Sequence, residues 1–246
     1  MSLKLNELDA IMEKESGTAL KPGLYVIATD IGNPADITLR ALAVLQSVDF
    51  VICEERKVGA AFLKRYGIKK PLELLNEHNE KEQSNRLLAR LMNEEVRAAL
   101  ISDCGTPLFA DPGSKLVRLC HKKQIPVIPI PGASSLMAAL MGAGRSEEGF
   151  LYYGFLPAGR EERIKALKDL KNRTEIDIVF LEAPYRLKPL LRDLKMILGP
   201  EREGIIAYKL TQPEERMIFG KLRQLQEEAE ILPKGEFVFI LRSTDI

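Results

Sequence analysis

Six short segments of this 246-residue chain combine glycine, proline, hydroxyl and carboxylate residues in ways that can hold a ligand. The fullest runs Ser102-Asp103-Cys104-Gly105-Thr106-Pro107 and on to Asp111-Pro112-Gly113. Glycine lets backbone approach a ligand closely and accept positive φ. The Asp103 carboxylate can accept hydrogen bonds from an amine or a ribose, and Thr106 offers a hydroxyl and a backbone amide. The second, Pro131-Gly132-Ala133-Ser134-Ser135, precedes an apolar run. Its small residues would leave amides free to donate at a helix start. The third, Asp30-Ile31-Gly32-Asn33-Pro34, lacks the GxGxxG spacing of a dinucleotide site. By residue type alone all three serve equally well as ordinary turns and caps.

Three further segments carry charge. In Glu54-Glu55-Arg56-Lys57, Arg56 and Lys57 can hold a phosphate while a carboxylate sits beside a reacting hydroxyl; a solvated turn uses the same residues. His78-Asn79-Glu80 holds one of the two histidines, and His121 falls in a charged helix. With no clustered ligand spacing, no metal site is expected and a metal-dependent hydrolase is disfavoured. In Phe180-Leu181-Glu182-Ala183-Pro184-Tyr185-Arg186, Glu182 and Arg186 can face a cleft or form a salt bridge at a helix start.

Position decides among these readings, and position depends on the elements that carry the loops. Apolar runs at 24–29, 48–53, 98–102 and 126–130 read as strands. Helical spacing falls between them: after Asp36, a candidate cap, through Leu39, Leu42 and Leu45; over 81–93; and through Leu116, Val117 and Leu119. This alternation predicts a parallel sheet covered on both faces, with ligands beyond the carboxyl ends of its strands. Small and charged residues over 142–149 place a boundary there. Strand-like runs at 150–154, 177–182, 204–208 and 236–241, with helical patterns near 161–171, 186–197 and 219–230, make a second α/β unit. The expected organisation is an N-terminal extension over 1–22 with a short amphipathic helix at 3–14, then α/β domains over 23–143 and 150–246.

The 36 basic and 35 acidic residues exclude a whole-protein basic field, so any nucleic-acid binding must use local charge. The three cysteines, Cys53, Cys104 and Cys120, are odd in number and lack a CxxC pair, which disfavours disulfides and zinc and fits a reducing cytoplasm. No run approaches a membrane span. No membrane partner, and a cytoplasmic location, are expected.

Taken in order, the segments resemble one family over roughly residues 24–242. Ile31-Gly32-Asn33 followed by Asp36-Ile37-Thr38-Leu39-Arg40-Ala41-Leu42 is similar to the opening of the bacterial 16S rRNA 2′-O-ribose methyltransferases, members of the tetrapyrrole methylase superfamily. So are His78-Asn79-Glu80, the Ser102–Pro107 segment, Asp111-Pro112-Gly113, Pro131-Gly132, Gly154-Phe155-Leu156-Pro157 and Lys234-Gly235-Glu236. The resemblance implies two α/β domains, S-adenosylmethionine in the cleft between them, and a homodimer. It implies that Asp103, Gly105, Thr106, Ser134 and Ser135 line the cofactor pocket, with Ile31, Leu181, Ala207 and Leu210 at further pocket positions. It also implies 16S rRNA of the small ribosomal subunit as partner, not DNA. By matching position and charge, Glu54 takes the role of base or orienting group, with Arg56 and Lys57 on a substrate phosphate.

This chain departs from the family pattern mainly on the substrate side. Thr29-Asp30 replaces Thr-Pro, and Glu54-Glu55-Arg56-Lys57 replaces Glu-Asp-Thr-Arg. Tyr185-Arg186 replaces His-Arg, and Ala207-Tyr208-Lys209-Leu210-Thr211-Gln212 replaces Ala-Arg-Glu-Leu-Thr-Lys. Another acceptor, such as a tetrapyrrole, and a non-catalytic cofactor- or RNA-binding paralogue therefore stay open. Candidate local basic faces for RNA are Arg160, Arg163, Lys165 and Lys168, and Arg186, Lys188 and Arg192; the acidic neighbours Glu161, Glu162 and Asp169 dilute the first group and favour a solvated helix face there.

Overall fold

The computed structural model describes residues 20–93, 95–109, 111–144, 149–173 and 175–244. The expected helix over 3–14 lies outside the described residues.

Five short apolar runs build the first sheet: β1 (Gly23–Ile27), β2 (Phe50–Cys53), β3 (Leu72–Leu74), β4 (Arg97–Ile101) and β5 (Val127–Ile130). Their order is β3-β2-β4-β1-β5 and every pairing is parallel. Successive side chains leave opposite faces of a strand. From β2, Val51 and Cys53 pack with helices α1 (Leu39–Ser47) and α2 (Arg56–Arg65). Phe50 and Ile52 pack with α3 (Glu80–Asn93) and α4 (Ser114–Lys122) on the other face. A strand buried on both faces has no polar side, so the β2 run shows no alternation. The expected parallel sheet covered on both faces is what forms.

The cap of α1 is Thr38 rather than Asp36. The Thr38 hydroxyl accepts from the Ala41 amide at 3.1 Å. Asp36 instead ends a single 3-10 turn over Pro34–Asp36, opened by Asn33, whose side-chain oxygen accepts from the Ala35 amide. Two cap-forming residues close in sequence thus start two successive elements.

The second sheet contains β6 (Phe150–Phe155), β7 (Asp177–Glu182), β8 (Glu203–Tyr208), β9 (Arg216–Lys221) and β10 (Phe237–Leu241). Its order is β6-β7-β10-β8-β9; β6 and β7 run parallel and the remaining pairings are antiparallel. Helices α6 (Arg160–Leu170), α7 (Leu187–Leu198) and α8 (Leu222–Ile231) cover one face, and α5 (Ser135–Gly142) covers the other. The expected helix over 219–230 is therefore split. Its first residues end the edge strand β9, and α8 starts at Leu222. Phe219, Leu222 and Leu225 fall three apart and imitate a helical stripe across the junction.

The compact units divide between Ser134 and Ser135, ahead of the composition shift at 142–149. The reason is α5. Its Ala139 and Leu140, with Ala143 just beyond it, pack against Val179, Ile205, Ala207, Val238 and Ile240 of the second sheet. A helix without a polar face does not reveal from sequence which sheet it serves.

Candidate active site

In the first unit, the loops that follow β1, β4 and β5 are tied to one another at the carboxyl edge of the sheet. Gly105 is the knot. Its amide donates to the Asp30 carbonyl at 3.1 Å, and its own carbonyl accepts from the Thr29 amide at 2.9 Å. It takes φ +76°, and a Cβ there would lie 2.8 Å from the Cγ2 of Ile31. The Thr106 hydroxyl donates to the Ala133 carbonyl at 3.0 Å, which joins the third loop. Gly132 lies so close to β1 that a Cβ would meet that of Ala28 at 3.0 Å. Ile31, Gly105, Thr106 and Ser134 are thus brought together through the backbone, with Ile31 and Gly105 buried and Thr106 and Ser134 half-buried. Ser135 opens α5 and is half-buried.

The far end of the second loop is also fixed. Leu108 has φ +76°, which costs a non-glycine residue about 1–2 kcal/mol. Its side chain packs in the α3/α4 core, which holds that conformation. One Glu80 oxygen accepts from the amides of Gly113 (2.8 Å) and Lys115 (3.4 Å) at the start of α4. Asn76 and Asn79 exchange side chain–backbone hydrogen bonds at 2.8 and 3.2 Å. The His78-Asn79-Glu80 segment therefore acts as a brace through Asn79 and Glu80, a role that sequence reading reduced to its histidine.

Carboxylates gather beside this brace. Glu54 follows β2 and is half-buried; Asp103 is exposed at the head of the second loop. Burial, reinforced by the charges of Asp103, Asp111, Glu77 and Glu55, pushes the Glu54 carboxyl above the usual glutamate range. Burial, with Glu55 and Asp111, does the same to Asp103, against a hydrogen bond from the Glu55 amide. Burial raises Asp111, opposed by a hydrogen bond with the Ser102 side chain. Sequence reading singled out neither Asp111 nor Glu77 as partners of Glu54; their link is spatial, from the ends of β3 and β4. Arg56 and Lys57 are the first residues of α2, and both are exposed.

Asp30, the departure after β1, has local partners. Its carboxylate accepts from Arg65 at 3.2 Å and from the Tyr66 hydroxyl at 3.4 Å. The Tyr66 hydroxyl also reaches the Pro34 carbonyl at 2.9 Å, so the end of α2 holds the first loop.

In the second unit, Leu181 lies on β7, Ala207 on β8 and Leu210 just after β8. Leu181 and Ala207 both stand in register with Val238 of β10, and all three assigned residues join the cluster under α5. Ala207 is fully buried there, while Leu181 and Leu210 are half-buried. The altered Tyr208–Gln212 segment is anchored to Lys234-Gly235-Glu236. The Lys209 amide donates to the Glu236 carbonyl at 2.8 Å and the Tyr208 hydroxyl to the Pro233 carbonyl at 2.9 Å. Lys209 and Thr211 take positive φ, unusual for β-branched threonine.

Two arginines read as RNA-facing are instead structural. Arg163 is buried and pairs with Asp193 at 2.8 Å, and it also donates to the Ala158 carbonyl. Arg186 pairs with Glu182 at 2.6 Å and donates to the Pro157 carbonyl at 2.7 Å. Of the two readings for Glu182 and Arg186, the salt bridge at a helix start is the one found, and it holds the Gly154–Pro157 segment.

Residues 23–226 match the family described as Tetrapyrrole (Corrin/Porphyrin) Methylases. The chain belongs to the tetrapyrrole methylase family. Among the members of this family that it resembles is the Ribosomal RNA small subunit methyltransferase I of Mesorhizobium japonicum, 43% identical over 89% of this chain and 74% of the relative. The protein of the same name from Pasteurella multocida is 39% identical over 89% of this chain and 78% of the relative. The solved uroporphyrin-III C-methyl transferase from Thermus thermophilus, complexed with S-adenyl homocysteine, has a TM-score of 0.60. It covers 89% of this chain and 97% of its own at 19% identity, a likeness of fold. As a tetrapyrrole methylase the chain is a methyltransferase. Among its described residues no helix is long and apolar enough to cross a membrane.

Proposed function

We propose that this methyltransferase moves the methyl group of S-adenosylmethionine to a ribose 2′-hydroxyl of 16S rRNA in the small ribosomal subunit. The observation that carries the acceptor is the 43% identity, over nine-tenths of the chain, to a relative named for small-subunit ribosomal RNA, against 19% for the tetrapyrrole-methylating structure.

The site's chemistry fits the cofactor. S-adenosylmethionine supplies an activated methyl on a sulfonium and also carries an ammonium group. Burial opposes the ionisation of Asp103, Glu54 and Asp111, and repulsion from the charges of neighbouring carboxylates adds to this at Asp103 and Glu54. A cationic ligand beside them relieves that repulsion. In this reading Asp103, Gly105, Thr106, Ser134, Ser135 and Ile31 hold the cofactor; Leu181, Ala207 and Leu210 belong to the same assignment. The hydrogen bonds that tie the loops together limit their freedom, which lowers the ordering cost of binding.

Glu54 is assigned as base or orienting group. A ribose hydroxyl is a poor nucleophile, and an acceptor with a raised pKa removes its proton more effectively near neutral pH. When bound, S-adenosylmethionine would supply the activated methyl group to the ribose oxygen and leave as the neutral thioether, and Glu54 would accept the proton that the hydroxyl gives up. Arg56 and Lys57 then hold the neighbouring phosphate, as exposed cations at the start of α2 can. Glu54→Gln is expected to cut turnover at least about 100-fold with cofactor affinity retained; unchanged turnover removes the base assignment. Recovery of 2′-O-methylated nucleosides from treated small subunits supports the acceptor, and methylation confined to bases refutes it.

A further inference from the structure

The two basic faces expected from sequence lose Arg160, Arg163, Arg186 and Lys188 to ion pairs and keep only Lys165, Lys168 and Arg192 outside them among the described residues, so docking RNA calls for further positive charge. Residues 56–70 supply it. This stretch holds Arg56, Lys57, Lys64, Arg65, Lys69 and Lys70 and no acidic residue, in a chain whose net charge is +1. It forms α2 and the turn leading to β3. Arg65 is occupied by Asp30. Among the described residues the other five form no ion pair. Glu54 and Glu55 stand at the start of the helix, and Asp49, which pairs with Arg97, lies near Lys70.

Geometry organises this charge. Lys57, Ala60, Ala61 and Lys64 fall on one face at helical spacing, and Lys57, Ala60, Ala61 and Lys64 are exposed. Beyond the helix, Lys64, Lys69 and Lys70 line an open groove of about 690 Å³ whose floor includes Leu63, Ile68 and Leu72. The ten residues of α2 span about 15 Å at 1.5 Å per residue. A stacked strand advances about four nucleotides over that length, at roughly 3.4 Å each. The basic track begins next to Glu54, where the reacting ribose is placed, and runs to the lysine groove.

We infer that the exposed face of α2 and the Lys64–Lys69–Lys70 groove form a docking track for the sugar-phosphate backbone of the RNA substrate, several nucleotides away from the methylated ribose. This rests on the proposed RNA acceptor. Phosphates match the track by charge, and the small alanines between Lys57 and Lys64 let a backbone lie close to the helix. Contacts of this kind position a substrate without reading its sequence.

The test replaces Lys64, Lys69 and Lys70 together by Gln, and separately by Arg. Binding of a 16S rRNA fragment is measured by fluorescence anisotropy between 50 and 200 mM salt, with thermal unfolding and S-adenosylmethionine affinity as fold controls. If the three lysines contact three phosphates, the Gln variant loses about 2 from the slope of log affinity against log salt. The wild type then weakens about 20-fold more than the variant over that fourfold change in salt. The Arg variant keeps the wild-type slope. An unchanged slope and affinity in the Gln variant overturns the track even when the wild type methylates small subunits. Stronger competition by a polyglutamate peptide than by RNA also overturns it, because the surface then serves an acidic protein. Methyl transfer is scored separately, so loss of the RNA acceptor and loss of the track give different results.

Discussion

Replacing Gly105 by Ala tests whether the loop knot organises the site. Two costs add. At φ +76° an L-residue loses about 1–2 kcal/mol relative to an allowed conformation. The new methyl also lies 2.8 Å from the Cγ2 of Ile31, which is itself buried. Forcing extra volume into a packed position costs about 1–3 kcal/mol. The expected total is about 2–5 kcal/mol. Gly67 provides the internal standard. It has φ +69°, but a Cβ there meets nothing within 4 Å, so Gly67→Ala carries the backbone term alone. Urea unfolding of both variants isolates the clash as their difference, expected at about 1–3 kcal/mol. Because Gly105 carries the hydrogen bonds to Asp30 and Thr29, its variant should also weaken S-adenosylmethionine binding, read by calorimetry, whereas Gly67→Ala should not. Equal destabilisation by the two changes, with equal cofactor affinity, would refute the knot as described.

Other consequences can be read with simple variants. Arg163→Met leaves Asp193 buried without its main partner and should cost about 3–5 kcal/mol in denaturant unfolding; a cost below about 1 kcal/mol would mean the exposed Arg160 or water replaces it. Glu80→Ala should cost about 1–2 kcal/mol, as loss of a helix cap does, and Glu80→Gln should recover most of it; no recovery would point away from the acceptor role of that oxygen. The Glu54 carboxyl is raised in the folded protein, so the folded state binds its proton more tightly than the unfolded state does. That term makes stability fall as pH rises from the unfolded glutamate pKa through the raised folded one. Glu54→Gln should therefore flatten this part of the stability–pH curve and leave the protein no less stable at neutral pH, while wild-type turnover falls as pH drops through the raised value; a variant that is less stable at neutral pH would contradict the burial argument.

Much of the first unit was legible because β1, β2, β4 and β5 are mainly apolar runs, the first three largely buried, and the loops after β1, β4 and β5 carry the glycines that a carboxyl-edge site needs. The strand β3 escaped notice because it is three residues long and follows Pro71 directly. The helix α5 was legible as a helix but not as a member of the second unit, since its apolar surface fits either sheet. Charge was the least legible property. Arg163 and Asp193 are thirty positions apart, so nothing local marks that arginine as spoken for, whereas the Glu182–Arg186 pair, one turn apart, was one of the two readings the residues offered. The acidic grouping around Glu54 likewise assembles from the ends of three strands. The basic run over 56–70 was visible in the letters, but its meaning depends on which other cations the fold has already paired.

The most direct test of the central claim is methyl transfer from radiolabelled S-adenosylmethionine to small ribosomal subunits lacking ribose methylation, with a tetrapyrrole offered in parallel. The account predicts label on rRNA, recovered as a 2′-O-methyl nucleoside, and none on the tetrapyrrole. Label on the tetrapyrrole alone, or cofactor binding with no transfer to rRNA, would contradict it.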